Sequence, residues 1–391
     1  MEQFFLPLMS DNIDKEDINS LIKFLEQENI PKLTNGPKVV EFENDWGQWL
    51  GTKYNLMVNS GASANELTML AINYIYGEAE VIVPPLTWIS DISSVIFAGL
   101  TPVFCDINLK NLSFDLDKLK KLITPKTKVI FLTHVLGING LTDELLEICE
   151  KNNILLIEDV CESHGVTFKN RKVGNFGFAS NFSFYFAHHM STIEGGMICT
   201  NDHHFYQVCR ALRSHGMMRE MTDTNLKNEI IQQNLDLNKD FIFIRPSHNF
   251  RSTELNAVIG ISQLKKLDKN NLNRISNFEF FIKKLDSNKY CTDFELDGQC
   301  NYAFIVILKN PSFDFRDKVE NTLKENGIEF RRGLSGGGNQ LRQPFFKKNY
   351  NINFEDFENM EHVHNFSWYI GNYPTLETHK IERLVNILNN I

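Results

Sequence analysis

Two adjacent histidines, His188 and His189, precede Glu194-Gly195-Gly196 in the run Asn181–Gly196. An imidazole takes up and returns a proton near neutrality, since its unperturbed pKa is about 6.5. Other residues along the chain have the types needed to hold something for that proton to act on. Ser60-Gly61-Ala62-Ser63 stands between an apolar run and an apolar-periodic segment. Small residues at a helix start let a phosphate approach the free N–H groups and the positive end of the helix dipole, although many α/β turns look the same. Glu158-Asp159 closes another apolar run. A carboxylate at the C-terminal end of a parallel strand can pair with a protonated ring nitrogen, or simply cap a turn. Trp88 can stack on a flat heterocycle or belong to the core. Ser183 and Asn249 can reach a phosphate or bond their own backbone. Arg331, after Ile328-Glu329-Phe330, suits a carboxylate or pyrophosphate as well as it suits solvent.

These residues need a scaffold, and the apolar pattern supplies one. Leu56–Asn59, Val81–Pro84, Pro102–Asp106, Val129–Thr133 and Ile154–Glu158 read as buried strands alternating with helices near Ser60–Tyr76 and Trp88–Ala98. Phe182–Phe186 and Met197–Thr200 continue the strand series. Such alternation predicts an α/β fold with a mainly parallel sheet covered on both faces. After about Pro246 the pattern changes to helices at Thr253–Leu267 and Leu272–Leu285, a strand at Tyr302–Leu308 and a helix at Phe315–Asn326. A glycine-rich loop, Ser335–Asn339, precedes a last helix at Leu376–Leu388. The expected division is a large α/β domain over residues 1–250, with an N-terminal helical segment, and a smaller α+β domain over 251–391.

The 391 residues suffice for two cores. A net charge of −9 argues against a nucleic-acid partner, which calls for a basic face. No apolar stretch approaches a membrane span, and the first residues lack a basic segment leading into an apolar run, so the expected compartment is the cytoplasm. Seven scattered cysteines contain no C-x-x-C pair, so neither a metal site nor a redox pair is expected.

Taken together, the quoted residues resemble the DegT/DnrJ/EryC1/StrS family of sugar-nucleotide enzymes, built on the aspartate-aminotransferase fold (fold type I). The likeness runs from Thr34-Asn35-Gly36-Pro37 through Ser60-Gly61, Pro84–Trp88, Glu158-Asp159 and Ser183–Gly196. It continues through Arg213–Gly216 to His248–Gly260. In that family a lysine six residues before E-G-G carries pyridoxal phosphate covalently. Here that position is His188, which cannot form the bond, and this departure implies non-covalent pyridoxal 5′-phosphate or pyridoxamine 5′-phosphate. The resemblance further implies that Gly61, Ala62, Ser63 and Ser183 hold the phosphate, that Trp88 stacks on the ring, and that Asp159 meets its nitrogen with Glu162 alongside. It implies that Asn249 crosses to a neighbouring subunit, giving a homodimer with shared sites, and that His215 and Arg331 face substrate.

The His-His-Met-Ser-Thr-Ile-Glu-Gly-Gly run is most similar to the branch that removes a sugar 3-hydroxyl. The substrate so implied is a nucleotide-linked 4-keto-6-deoxyhexose, GDP-4-keto-6-deoxymannose first, on a colitose-type route, with L-glutamate as amino donor and His188 as acid and base. A second branch acts on CDP-linked sugar, also has histidine here, and carries an iron–sulfur cluster on cysteines after the Arg-x-His-Gly segment. Gly216–Arg251 holds no cysteine, so no cluster is expected. Gly338–Pro344 looks like the CDP branch, which leaves the nucleotide open. An aminotransferase using another lysine and a binding protein without turnover are the other readings. Lys169 and Lys172, however, sit in a polar turn.

Overall fold

The computed structural model describes residues 4–391. Seven strands form the main sheet: β1 (Tyr54–Val58), β2 (Glu80–Val83), β3 (Thr101–Phe104), β4 (Thr127–Thr133), β5 (Leu155–Asp159), β8 (Ala179–Ser183) and β9 (Gly196–Thr200). The short pair β6 (Thr167–Phe168) and β7 (Arg171–Lys172) is a separate hairpin. The order across the main sheet is β1-β9-β8-β5-β4-β2-β3. All neighbours are parallel except β9, which runs against both β1 and β8. Central strands buried on both faces need continuous apolar side chains, and Val129, Ile130, Phe131 and Leu132 of β4 are all fully buried.

A second sheet, β10-β12-β11, is antiparallel and is made from Ala303–Ile307, Ser367–Gly371 and Phe330–Arg332. The fold is thus the expected α/β type with a mainly parallel seven-stranded sheet and a smaller α+β part.

Two elements differ from expectation. The segment read as two helices is one, Glu254–Lys284. Its amphipathic stripe lapses where it passes between two cores, and there Asn271 Nδ2 donates to the His164 carbonyl at 3.0 Å. The strand expected at Phe182–Phe186 lies three residues earlier, because the chain leaves the sheet after Ser183 and turns, with His188 N–H donating to Tyr185 O at 3.0 Å.

The N-terminal segment acts as a strap. Leu6 pairs with Ile328, and Leu8 N–H donates to Glu329 Oε2 at 3.0 Å. Further along, Asn12 Nδ2 donates to the carbonyls of His188 at 2.6 Å and Phe186 at 3.2 Å. The strap then enters the helix Lys15–Leu25, whose capping box on Asp14 and Asp17 fixes its start. No helix among the described residues is long and apolar enough to cross a membrane.

Candidate active site

The helix Gly61–Tyr76 starts at the C-terminal end of β1 because Ser60 caps it, its Oγ accepting from Ser63 N–H at 3.0 Å. A Cβ on Gly61 would fall 2.5 Å from Ser183 Cβ and 3.0 Å from Cys161 Sγ. Only glycine allows β8 and the loop after β5 to close around this helix start. Gly61, Ser183 and the exposed Ala62 therefore form one concave corner, with Ser63 half-buried behind it.

The two carboxylates of Glu158-Asp159 point to opposite faces of β5, as successive strand residues do. Glu158 is structural: it accepts the N–H groups of Gly174, Phe176 and Gly177 at 2.7–2.9 Å. Asp159 is 4% exposed and faces the corner. Its oxygens accept from Cys161 N–H and from Asn65 Nδ2, each at 2.9 Å. The same Asn65 amide donates to Asp91 at 2.7 Å, so two buried carboxylates share one neutral bridge. Burial and the nearby Asp159 push the Asp91 carboxyl well above its ordinary range, and no Lys, Arg or His forms an ion pair with either group among the described residues. Trp88, 57% exposed, forms no ring pair among the described residues and lines a cleft of about 230 Å³ bordered by Gly336, Gln340, Gln343 and Phe345.

Glu162 spans the two parts of the chain. It accepts from Leu136 N–H at 3.2 Å and from the Ser335 hydroxyl of the glycine-rich loop at 3.1 Å. Burial pushes its carboxyl up to about 7, against the pull of those two bonds.

His188 stands on the turn after β8, half-buried. Its Nδ1 is enclosed without a partner. Its ring lies 5.7 Å from Tyr302 and 5.9 Å from Tyr185. Burial, with Arg274 adding to it, pulls the imidazole down to about 3. His189 is 1% exposed and bonded to Cys300 O at 2.9 Å. Lys169 pairs with Asp143, and Lys172 lies 4.6 Å over the Trp49 ring, so neither stands in for the missing lysine.

The remaining expected residues lie apart. Arg331, on β11, is exposed and pairs with Glu329 at 3.2 Å. It stands opposite Tyr369, whose hydroxyl is pushed up to about 12 by burial, with Glu162 contributing. His215, in a left-handed conformation (φ +64°), and Asn249 are exposed and sit together on an outer edge. Tyr302, Ser335, Arg274 and the Asn65–Asp91 pair were not singled out from sequence. Of these, only Ser335 carried a signal, through its glycine-rich loop.

A mainly parallel sheet with one reversed strand, a helix-start cradle after its first strand and a carboxylate ending its central strand define the aspartate-aminotransferase type of architecture, fold type I. The chain belongs to the DegT/DnrJ/EryC1/StrS aminotransferase family, whose model matches residues 11–389. It is 32% identical to the GDP-4-keto-6-deoxy-D-mannose 3-dehydratase of Yersinia pseudotuberculosis, over 98% of each chain. Among solved structures it resembles the E. coli GDP-4-keto-6-deoxy-D-mannose-3-dehydratase with bound hydrated PLP, with a TM-score of 0.88, 28% identity, and coverage of 99% of this chain and 100% of that one. A GDP-4-keto-6-deoxymannose-3-dehydratase with a trapped PLP-glutamate geminal diamine gives a TM-score of 0.87 at 28% identity, over 98% of this chain and 100% of that one.

Proposed function

We propose that this chain is a sugar-nucleotide 3-dehydratase that uses pyridoxal 5′-phosphate and its pyridoxamine form. It removes the C3 hydroxyl of GDP-4-keto-6-deoxymannose, with L-glutamate as amino donor. The observation that carries the reading is His188, a half-buried imidazole whose ring nitrogens make no hydrogen bond within the chain, standing where the family's lysine would be.

The site residues fit the cofactor. Glycine at position 61 lets Ser183 pack against the helix start, so its hydroxyl and the free N–H groups of that start would meet a phosphate together. The buried Asp91–Asp159 pair lacks a cation, and a protonated ring nitrogen would supply one. The open face of Trp88 suits a stacked ring.

When bound, pyridoxal phosphate supplies an electron sink. Asp159 keeps the ring nitrogen protonated, and Gly61, Ala62, Ser63 and Ser183 anchor the phosphate. With cofactor and sugar bound, His188 would be the residue to take a proton in this site and hand it to the departing 3-hydroxyl oxygen, which would leave as water. Having no amine at position 188, the chain cannot recapture the aldehyde covalently. Glu162 ties the glycine-rich loop down over this chemistry, while Arg331 and His215 are the residues offered to the nucleotide sugar.

The test is a panel of GDP-, CDP-, dTDP- and UDP-linked 4-keto-6-deoxy sugars with glutamate, read by mass. The GDP sugar should lose its C3 oxygen, using cofactor and glutamate alone. A product bearing a new amino group would return the chain to the aminotransferases, and turnover only with iron and an added electron donor would place it with the CDP branch.

The active unit is a homodimer in which Asn249 serves the neighbour's phosphate. Exposure of Asn249 and His248 on the outer edge supports this, since within its own chain the Asn249 side chain only accepts from Arg251 N–H at 3.1 Å. An asparagine amide can give two N–H groups to phosphate oxygens. Mixing an inactive His188 variant with an inactive Asn249 variant should restore about a quarter of wild-type activity, since half the dimers are hybrids with one intact site of two. No recovery despite proven subunit exchange would refute the shared site.

A further inference from the structure

The reaction proposed above uses one imidazole, yet three are packed together. His164 is fully buried with both ring nitrogens unpartnered, 5.4 Å from His189 and 6.2 Å from His188, centroid to centroid. Behind them Arg274 rises from the middle of the helix Glu254–Lys284. It is 2% exposed. Its guanidinium donates to Tyr302 O at 3.2 Å and to Asn372 O, its Nε has no partner, and it forms no ion pair with a carboxylate among the described residues.

A buried cation held only by carbonyls is costly, and an apolar residue of similar size would serve packing better. What this cation gains is its position. The peptide it grips belongs to Tyr302, whose ring lies 5.7 Å from that of His188 and 6.2 Å from that of His189. The titratable and charged groups facing His188 are Tyr185 on its own turn, Tyr302 from the start of β10, His164 from the loop after β5 and Arg274 from the long helix. His189 stands next to it, and Glu162 lies beyond Tyr302. The N-terminal strap brings only the neutral Asn12 amide. Positive charge therefore acts on this imidazole with no neighbouring anion to cancel it.

We propose that Arg274 is a positioning residue for proton transfer, holding Tyr302 against His188 and inclining that imidazole to give its proton up to the departing hydroxyl. The second half of this role rests on the dehydratase reading; the first does not. Burial pulls the His188 and His164 imidazoles below their ordinary range, and the Arg274 charge adds to the effect in both.

The experiment follows histidine ring signals by NMR in protein labelled at histidine. His188 is assigned by its loss in His188→Asn, and the acid limb of kcat/KM is measured alongside. In wild type the His188 signal should stay that of a neutral ring down to well below pH 6. Arg274→Met should move both the His188 titration and the acid limb upward by about 1 pH unit or more. Arg274→Lys, which keeps the charge, should leave both near their wild-type places.

Wild-type His188 titrating near 6.5 would overturn the proposal, whether or not Arg274→Met folds. So would an Arg274→Met protein that loses turnover equally at every pH with the His188 titration unmoved, since that is the mark of a merely structural arginine. If no sugar nucleotide is dehydrated yet the titrations behave as described, the dehydratase reading fails and the role of Arg274 at His188 stands.

Discussion

His188→Asn should lower dehydration about 10²–10⁴-fold, the usual worth of a positioned acid and base, while leaving cofactor affinity nearly unchanged. The amide is close in size to the ring and can hydrogen-bond, but it cannot carry a proton between a carbon and a leaving oxygen. The surroundings should tolerate the change. The backbone of the turn is held from outside by Asn12 on the His188 and Phe186 carbonyls, and the ring nitrogens make no hydrogen bond within the chain. Cofactor titration by absorbance, set beside product formation by mass, separates binding from chemistry. His188→Lys supplies the complementary result: borohydride treatment of the pyridoxal-loaded variant should leave a pyridoxyl group on position 188, whereas wild type should keep none on any lysine. Full turnover in His188→Asn would place the base elsewhere, with Tyr302 and Tyr185 the nearest alternatives.

The second large effect is expected at Asp159, with opposite signs for function and stability. Asp159→Asn removes the charge that would pair with a protonated ring nitrogen. A charge-assisted hydrogen bond of this kind contributes about 1.5–3 kcal/mol, so cofactor should bind roughly tenfold to a hundredfold more weakly, and turnover should fall at least as far. The cofactor-free protein should nevertheless be no less stable, and is expected to melt a few degrees higher. Asp159 and Asp91 are buried around one Asn65 amide, and removing one charge relieves the pair. The sign with pH follows from Asp91. Because its folded-state carboxyl is raised, the stability it contributes is present below its ordinary pKa and lost as pH rises through the folded value. Thermal melts of the cofactor-free protein at pH 5 and pH 8 should therefore differ less in Asp159→Asn than in wild type. A variant that binds cofactor normally and melts lower would show Asp159 to be only the turn carboxylate that holds Cys161 N–H.

The parts of this site visible in the sequence are those written locally. A strand of continuous apolar residues followed by Ser-Gly-Ala-Ser announces a cradle, and strand alternation puts Glu158 and Asp159 on opposite faces, while the choice of Asp159 came from the family resemblance. The register from Glu194 selects His188 over His189, and the structure leaves His188 half-buried while His189 is enclosed on Cys300 O. Features that depend on distant partners could not be read this way. Asn271 and Arg274 break the apolar stripe of a helix, so the helix looks like two, because their acceptors at His164, Tyr302 and Asn372 lie far along the chain. Phe182-Ser183-Phe184-Tyr185-Phe186 looks like a strand to its end, but its last two aromatics are exposed on the turn that carries His188. Tyr302 appeared only as the start of a strand, and nothing in its neighbourhood announces that it lies beside the imidazole.

The strap also sets an order of events during synthesis. Asn12 meets the carbonyl of a residue 176 positions later, so the turn bearing His188 can be braced while the second sheet is still unmade. Leu8 must wait longer, for Glu329, 321 positions on. At roughly 5–20 residues per second that interval is on the order of 15–60 s, during which Leu8 has no Glu329 to meet. The turn bearing His188 can therefore be braced from one end of the strap well before the other end is fastened, and Phe5, whose ring lies under the Arg383 guanidinium, waits longer still, for the final helix.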